Sequence, residues 1–193
     1  MAERVETWFG PSALATPANA VTVLRVLITP VLLLLVLGVG PSWPALVLWI
    51  GLAGTDGVDG YIARRQGTTR SGAFLDPLAD KLLVLGALWA LVVEGGLWWV
   101  PVALITVREV TMSAYRSWVG RRGTSIPARG LAKLKTVVQA LAVGVALCPP
   151  VAREAAWLVS AVLWAAVVLT LVSGYQYLRD GRAAAAASSS ARP

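Results

Sequence analysis

The chain has no histidine and a single cysteine, Cys148, among its 193 residues. The first absence removes imidazole acid–base chemistry and every zinc site that uses His. The second rules out an intramolecular disulfide and a cysteine-built metal cluster. Cys148, followed by Pro149-Pro150 at the end of an apolar run, reads as a packing residue. Charge is scarce too: 14% of residues are charged against 57% hydrophobic. Any chemistry must therefore use Asp, Glu, Lys, Arg, Ser, Thr or Tyr. Residues 1–10 carry Glu3, Arg4 and Glu6 and lack the apolar run of a secretory leader. Residues 1–16 are instead expected to form an interfacial segment, with Trp8 and Phe9 at the headgroup level.

What is abundant is apolar sequence in blocks. Six segments approach the roughly 20 residues needed to cross a bilayer: about 21–37, 44–64, 77–93, 98–118, 131–147 and 154–177. The expected fold is an all-α integral membrane protein with six transmembrane helices. Residues 17–180 would form the membrane domain, and the Ala/Ser-rich residues 181–193 a flexible tail. Basic residues gather in the loops after the second and fourth segments: Arg64, Arg65 and Arg70, then Arg116, Arg121, Arg122, Arg129, Lys133 and Lys135. The opposite loops hold only Arg153. By the positive-inside rule both termini and the loop face at 64–72 are cytoplasmic, as in a multi-pass protein of the inner membrane. Trp43, Trp98 and Trp99 would mark the outer interface, Tyr175 and Tyr177 the inner one. The net charge of +7 thus describes a membrane face, with no nucleic acid implied.

Four of the ten acidic residues lie in the stretch 56–81, at the end of the second segment and the start of the third. Asp56 and Asp59 are spaced i, i+3, and Asp76 and Asp80 i, i+4, so each pair shares one face of a helix. A short loop between the helices would bring the pairs together. Asp56 lies roughly 12 Å below the cytoplasmic end of its helix, and an ionised Asp at that depth marks a functional site. Four adjacent carboxylates repel unless a cation sits among them, so a divalent metal site is the economical reading. Pairing with nearby Arg is the structural alternative. Gly57, Gly60 and Gly72 weaken a helix by about 1 kcal/mol each; they leave room for a ligand or for close helix packing.

Asp56-x-x-Asp59-Gly60-x-x-Ala63-Arg64, followed by Gly72-x-x-x-Asp76-x-x-x-Asp80, resembles the signature of the CDP-alcohol phosphotransferase family. All eight signature positions are occupied, with a loop one residue shorter than is typical. The resemblance implies a membrane enzyme that uses an alcohol to displace CMP from a CDP-linked donor. It implies that Asp56, Asp59, Asp76 and Asp80 hold two ions, Mg²⁺ or Mn²⁺, and that Asp80 is also the general base. Gly60 and Ala63 would make room for cytidine, and Arg64 would contact the donor phosphates.

In the first segment Asn19, Thr22 and Arg25 form one polar stripe, and Asn19 fits a helix N-cap. The stripe is similar to the Asn-x-x-Thr-x-x-Arg pattern of bacterial members, where this helix lines the nucleotide site. The implied CDP-diacylglycerol site therefore comprises Asn19, Thr22, Arg25, Gly60, Ala63, Arg64, Arg70 and Gly72. Arg108, well inside the fourth segment, needs a cavity or a partner. Glu109 points about 100° away and is not an obvious one. Arg108, Arg116, Lys133 and Lys135 could together bind a second phosphate. Arg108-Glu109, Arg116 and Ala132-Lys133-Leu134-Lys135-Thr136 with Gln139 resemble the branch of the family whose acceptor is glycerol 3-phosphate. Inositol phosphate or phosphatidylglycerol are the alternative acceptors. A homodimer is implied by the resemblance alone. A prenyltransferase lacks this Gly/Ala-Arg pattern, and a cation transporter has no use for the second basic cluster.

Overall fold

A computed structural model describes the backbone of residues 17–66, 70–121 and 130–190. Within these spans it describes the side chains of residues 20–55, 76–119, 131, 133–179 and 181. The expected interfacial segment at 1–16 lies outside the described residues. Among those described the fold is all-α, with no strand: α1 Pro17–Val39, α2 Trp43–Gln66, α3 Arg70–Val93, α4 Trp99–Arg121, α5 Gly130–Leu147, α6 Pro149–Glu154 and α7 Ala156–Ser190.

Several boundaries differ from the expectation, each for a local reason. α1 opens at Pro17, where a missing N–H costs nothing, so Asn19 lies in the first turn and is not the cap. α3 begins at Arg70 and carries Pro77 within it, so both acidic residues of the second pair are inside the helix. A six-residue helix, α6, starts at the Pro149-Pro150 pair. α7 runs on through Ala183–Ala187, the strongest helix formers, to Ser190, so the backbone expected to be a tail is helical.

The helices fall into two compact units. One holds α1, α2, α3, the C-terminal end of α5 and α6; the other holds α4, the rest of α5 and α7. In the first unit α1 packs on both α2 and α3. Its buried residues are Thr22, Arg25, Thr29, Leu32 and Val36, a stripe at alternating spacings of three and four. They meet Ala45, Trp49 and Leu52 of α2 and Ala79, Leu83, Ala87 and Leu91 of α3, which form the rest of this core. α3 ends in a Schellman motif: Gly96 N–H donates to the Leu91 carbonyl at 2.9 Å, Gly95 N–H donates to Val92 at 3.1 Å, and Gly95 has φ +91°. α1 ends at Gly40, also left-handed at φ +73°.

In the second unit α4 packs on α7. Val102, Ile105, Glu109 and Met112 are buried on α4, and Val159, Leu163, Ala166, Thr170 and Ser173 on α7. Here, as on α1, the inward stripe is apolar along one half of the helix and polar along the other. The outward faces are the apolar ones. On α1, Leu27 is 67% and Leu34 69% exposed, while Arg25 is 1% exposed. A helix with its polar residues inside and leucine outside is built for a lipid surround. This is a membrane protein. Among the described residues two helices are long and apolar enough to cross a bilayer, Ala20–Val39 and Ala156–Arg179, and Trp43–Thr55 is a shorter apolar stretch. The expected count of six is not confirmed among them.

Candidate active site

The polar stripe of α1 reaches both neighbouring helices. Thr22 Oγ1 donates to Asp76 Oδ1 of α3 at 2.7 Å. One turn further on, Arg25 Nε donates to Thr55 Oγ1 of α2 at 3.3 Å, and that hydroxyl donates to the Leu52 carbonyl at 2.6 Å. Thr55 directly precedes Asp56, so α1 contacts the helix that carries the first acidic pair just below it. Thr29 Oγ1 turns back onto the Arg25 carbonyl at 2.8 Å.

Asp76 and Asp80 are half-buried, one turn apart on α3. Asp56, Asp59, Gly60, Ala63 and Arg64 lie on the second half of α2, and Arg70 and Gly72 at the start of α3. The side chains of these seven, and of Asn19, lie outside the described residues. Among the described residues no three His, Cys, Asp or Glu side chains come together. The donor chemistry nonetheless fits a hard divalent cation: Asp76 and Asp80 are oxygen donors on one face, partly shielded from water. The Thr22 hydroxyl takes one oxygen of Asp76 and so orients the carboxylate.

A second polar cluster occupies the other unit. Arg108 Nη1 donates to Glu109 Oε1 at 2.8 Å, and Lys135 Nζ of α5 binds the same oxygen. Arg108 Nη2 donates to Ser173 Oγ of α7 at 2.8 Å, and Gln139 Nε2 to Thr170 Oγ1 at 2.8 Å. This corrects the expectation about Glu109: the side chains diverge at Cβ, but the long arms of Arg and Glu curl back to meet. The Arg108, Glu109 and Lys135 side chains are only 12%, 8% and 11% exposed. Two cations thus share one carboxylate in a site mostly closed to water. Arg108 Nε is buried without a hydrogen-bond partner among the described residues. Of the four cations expected to act together, the structure joins Arg108 and Lys135. Arg116 is exposed and lies over the Tyr177 ring, 5.5 Å from its centroid, and Lys133 is exposed, on a different face of α5 from Lys135.

Ser173, Thr170 and Gly174 were not among the expected site residues. Gly174 gives Arg108 its room, since a Cβ there would lie 2.9 Å from Nε. The signal was present: Thr170, Ser173 and Gly174 sit at i, i+3, i+4 in an otherwise apolar helix.

An α-helical membrane protein with paired acidic residues on two helices and a buried cationic cluster is the setting for lipid phosphoryl chemistry. The CDP-alcohol phosphatidyltransferase profile matches residues 15–172. The chain belongs to the CDP-alcohol phosphatidyltransferase family, whose members act in phospholipid biosynthesis. It is 40% identical over 179 residues, 88% of this chain and 83% of the relative, to a "Probable phosphatidylglycerophosphate synthase" of Mycobacterium tuberculosis H37Rv. It is also similar to two proteins named CDP-diacylglycerol–glycerol-3-phosphate 3-phosphatidyltransferase. The one from Pseudomonas fluorescens is 42% identical over 171 residues, 83% of this chain and 87% of the relative. The one from Escherichia coli K12 is 37% identical over 171 residues, 84% and 92%.

Proposed function

We propose that this chain transfers the phosphatidyl group of CDP-diacylglycerol to sn-glycerol 3-phosphate, giving phosphatidylglycerophosphate and CMP. The observation that carries the reading is the similarity to relatives named for this reaction over most of both chains. The acceptor is supported locally by Arg108 and Lys135, two buried cations brought together on one carboxylate oxygen, the residue types that bind a phosphate.

In the reaction the primary hydroxyl of glycerol 3-phosphate attacks the phosphorus esterified to diacylglycerol. A new P–O bond forms there, the bond to the bridging diphosphate oxygen breaks, and that oxygen leaves on CMP. Asp80 takes the hydroxyl proton as general base. Thr22 holds Asp76 in one orientation, and Asn19, Arg25, Gly60, Ala63, Arg64, Arg70 and Gly72 bind the nucleotide donor. Two divalent ions, Mg²⁺ or Mn²⁺, on Asp56, Asp59, Asp76 and Asp80 would supply charge neutralisation for the diphosphate and for departing CMP. Arg108 and Lys135 hold the acceptor phosphate, with Arg116 and Lys133 as outer cations. The catalytic membrane domain spans 17–180, with the segments 1–16 and 181–193 on either side. Its helices cross the inner membrane six times, with both termini and the site on the cytoplasmic face, a topology supported by the placement of Arg and Lys. The chain is a homodimer by family resemblance.

The test is CMP release from CDP-diacylglycerol by the purified protein with Mg²⁺ or Mn²⁺, offering glycerol 3-phosphate, inositol phosphate, glycerol or phosphatidylglycerol. Release is expected with glycerol 3-phosphate, and Asp80→Asn is expected to lose about 10²- to 10⁴-fold. Release driven by another acceptor would replace the substrate. No release with any of them, from folded protein, would remove the reading.

A further inference from the structure

Ser173 is buried, 6% exposed, on a helix apolar enough to span the bilayer. Its one hydroxyl proton is already used: Oγ donates to the Thr170 carbonyl of its own helix at 3.0 Å. Toward Arg108 it can therefore only accept, and it takes Nη2 at 2.8 Å. The other terminal nitrogen, Nη1, donates to Glu109. Each terminal nitrogen of a guanidinium carries a pair of N–H, so each keeps one beyond these bonds. α2 uses the same device, where Thr55 Oγ1 donates to the Leu52 carbonyl at 2.6 Å and accepts from Arg25 Nε at 3.3 Å.

We propose that Ser173 is a positioning residue for the acceptor phosphate, aiming the Arg108 guanidinium through a bond that adds no counter-charge. The inference rests on the glycerol 3-phosphate reading and adds Ser173 to that site. Held at Nη1 by Glu109 and at Nη2 by Ser173, the planar group is pinned at both ends. The remaining N–H of each terminal nitrogen is then fixed in direction, and such paired donors are what a phosphate accepts side by side. A ligand that meets a fixed fork does not have to order it, and binding is stronger for that. A carboxylate in place of Ser173 would hold Arg108 as firmly, but its charge would oppose the incoming phosphate. A hydroxyl with its proton turned away orients the cation and leaves the phosphate no rival there.

The informative pair is Ser173→Thr against Ser173→Val, which match in shape and differ in the hydroxyl. Thr can keep the bond to the carbonyl one turn back, as Thr55 does. In full-length enzyme Ser173→Val is expected to raise the KM for glycerol 3-phosphate about tenfold, the scale of one hydrogen bond to a charged group. The KM for CDP-diacylglycerol should not move, and Ser173→Thr should stay within about twofold of wild type for both substrates. Ser173→Asp, which adds the rival charge, should raise the KM for glycerol 3-phosphate beyond Ser173→Val. A wild-type KM for glycerol 3-phosphate in Ser173→Val or Ser173→Asp would overturn the proposal, as would a Thr variant impaired like Val. So would a KM raised equally for both substrates, the mark of a merely structural serine. Should the branched side chains fold poorly, Ser173→Ala carries the same expectation as Ser173→Val, and an unmoved KM there sinks the idea. Wild-type enzyme that releases no CMP with glycerol 3-phosphate would instead fail the functional reading itself, a result the variants cannot mimic.

Discussion

Gly174 stands against the Arg108 guanidinium so closely that a single added carbon would lie 2.9 Å from Nε. Because that guanidinium is tied at both ends, to Glu109 and Ser173, it cannot simply swing aside. Gly174→Ala is therefore expected to raise the KM for glycerol 3-phosphate about tenfold or more while sparing the KM for CDP-diacylglycerol. Steady-state kinetics with each substrate varied in turn checks the split. At the acidic site the corresponding residue is Thr22. Thr22→Val removes the hydroxyl that orients Asp76 and is expected to weaken metal binding about 10- to 100-fold, with Thr22→Ser restoring it. Mn²⁺ binding followed by electron paramagnetic resonance reads this without turnover. At this scale the spacing of the four Asp residues was legible in the sequence. The Arg108–Glu109 contact was not, since helical-wheel angles describe where Cβ points and not where a five-bond arm ends.

The helix ends decide how the elements are joined, and Gly40 is where this can be measured. It has φ +73°, and a Cβ there would meet Glu94 Oε1 at 2.6 Å. Gly40→Ala should destabilise by about 1–2 kcal/mol from backbone strain alone, with more from the contact. Gly38, two residues earlier, lies within α1 and has open space around its Cβ position. Gly38→Ala should be neutral or stabilise by up to about 1 kcal/mol. Thermal unfolding of the two variants in one detergent compares them directly. Gly40 and Gly95, the two left-handed glycines among the described residues, follow the first and third segments, where a glycine in the sequence reads as a stop. The start of α3 was not legible: Pro77 suggested a first turn, whereas the helix absorbs it and begins at Arg70. A proline marks a missing donor, and that is compatible with either position.

Taken whole, the molecule has its polarity inside out. Among the described residues α1 and α7 are apolar over a bilayer's length, while α3 carries Asp76, Asp80 and Lys81 and α4 carries Arg108 and Glu109 within the helix. A window average registers such charges as a reason against a span, although Arg108 and Glu109 are buried. The outward face is the stringent one. Leu27→Asp, at a position 67% exposed on α1, is expected to cost about 2.5–3.5 kcal/mol of insertion and to lower the membrane-integrated fraction. A glycosylation-based insertion assay on α1 checks it.

α7 spans 35 residues with no proline inside it, which at helical rise is about 52 Å, against a hydrocarbon core of about 30 Å. A rod of that length exceeds the thickness of the hydrocarbon core by about 22 Å. That rod is the same helix that presents Ser173 and Gly174 to Arg108. A helical protein fused in register after Ser190 would inherit its direction, giving electron microscopy a fixed landmark on a particle otherwise hidden in its micelle.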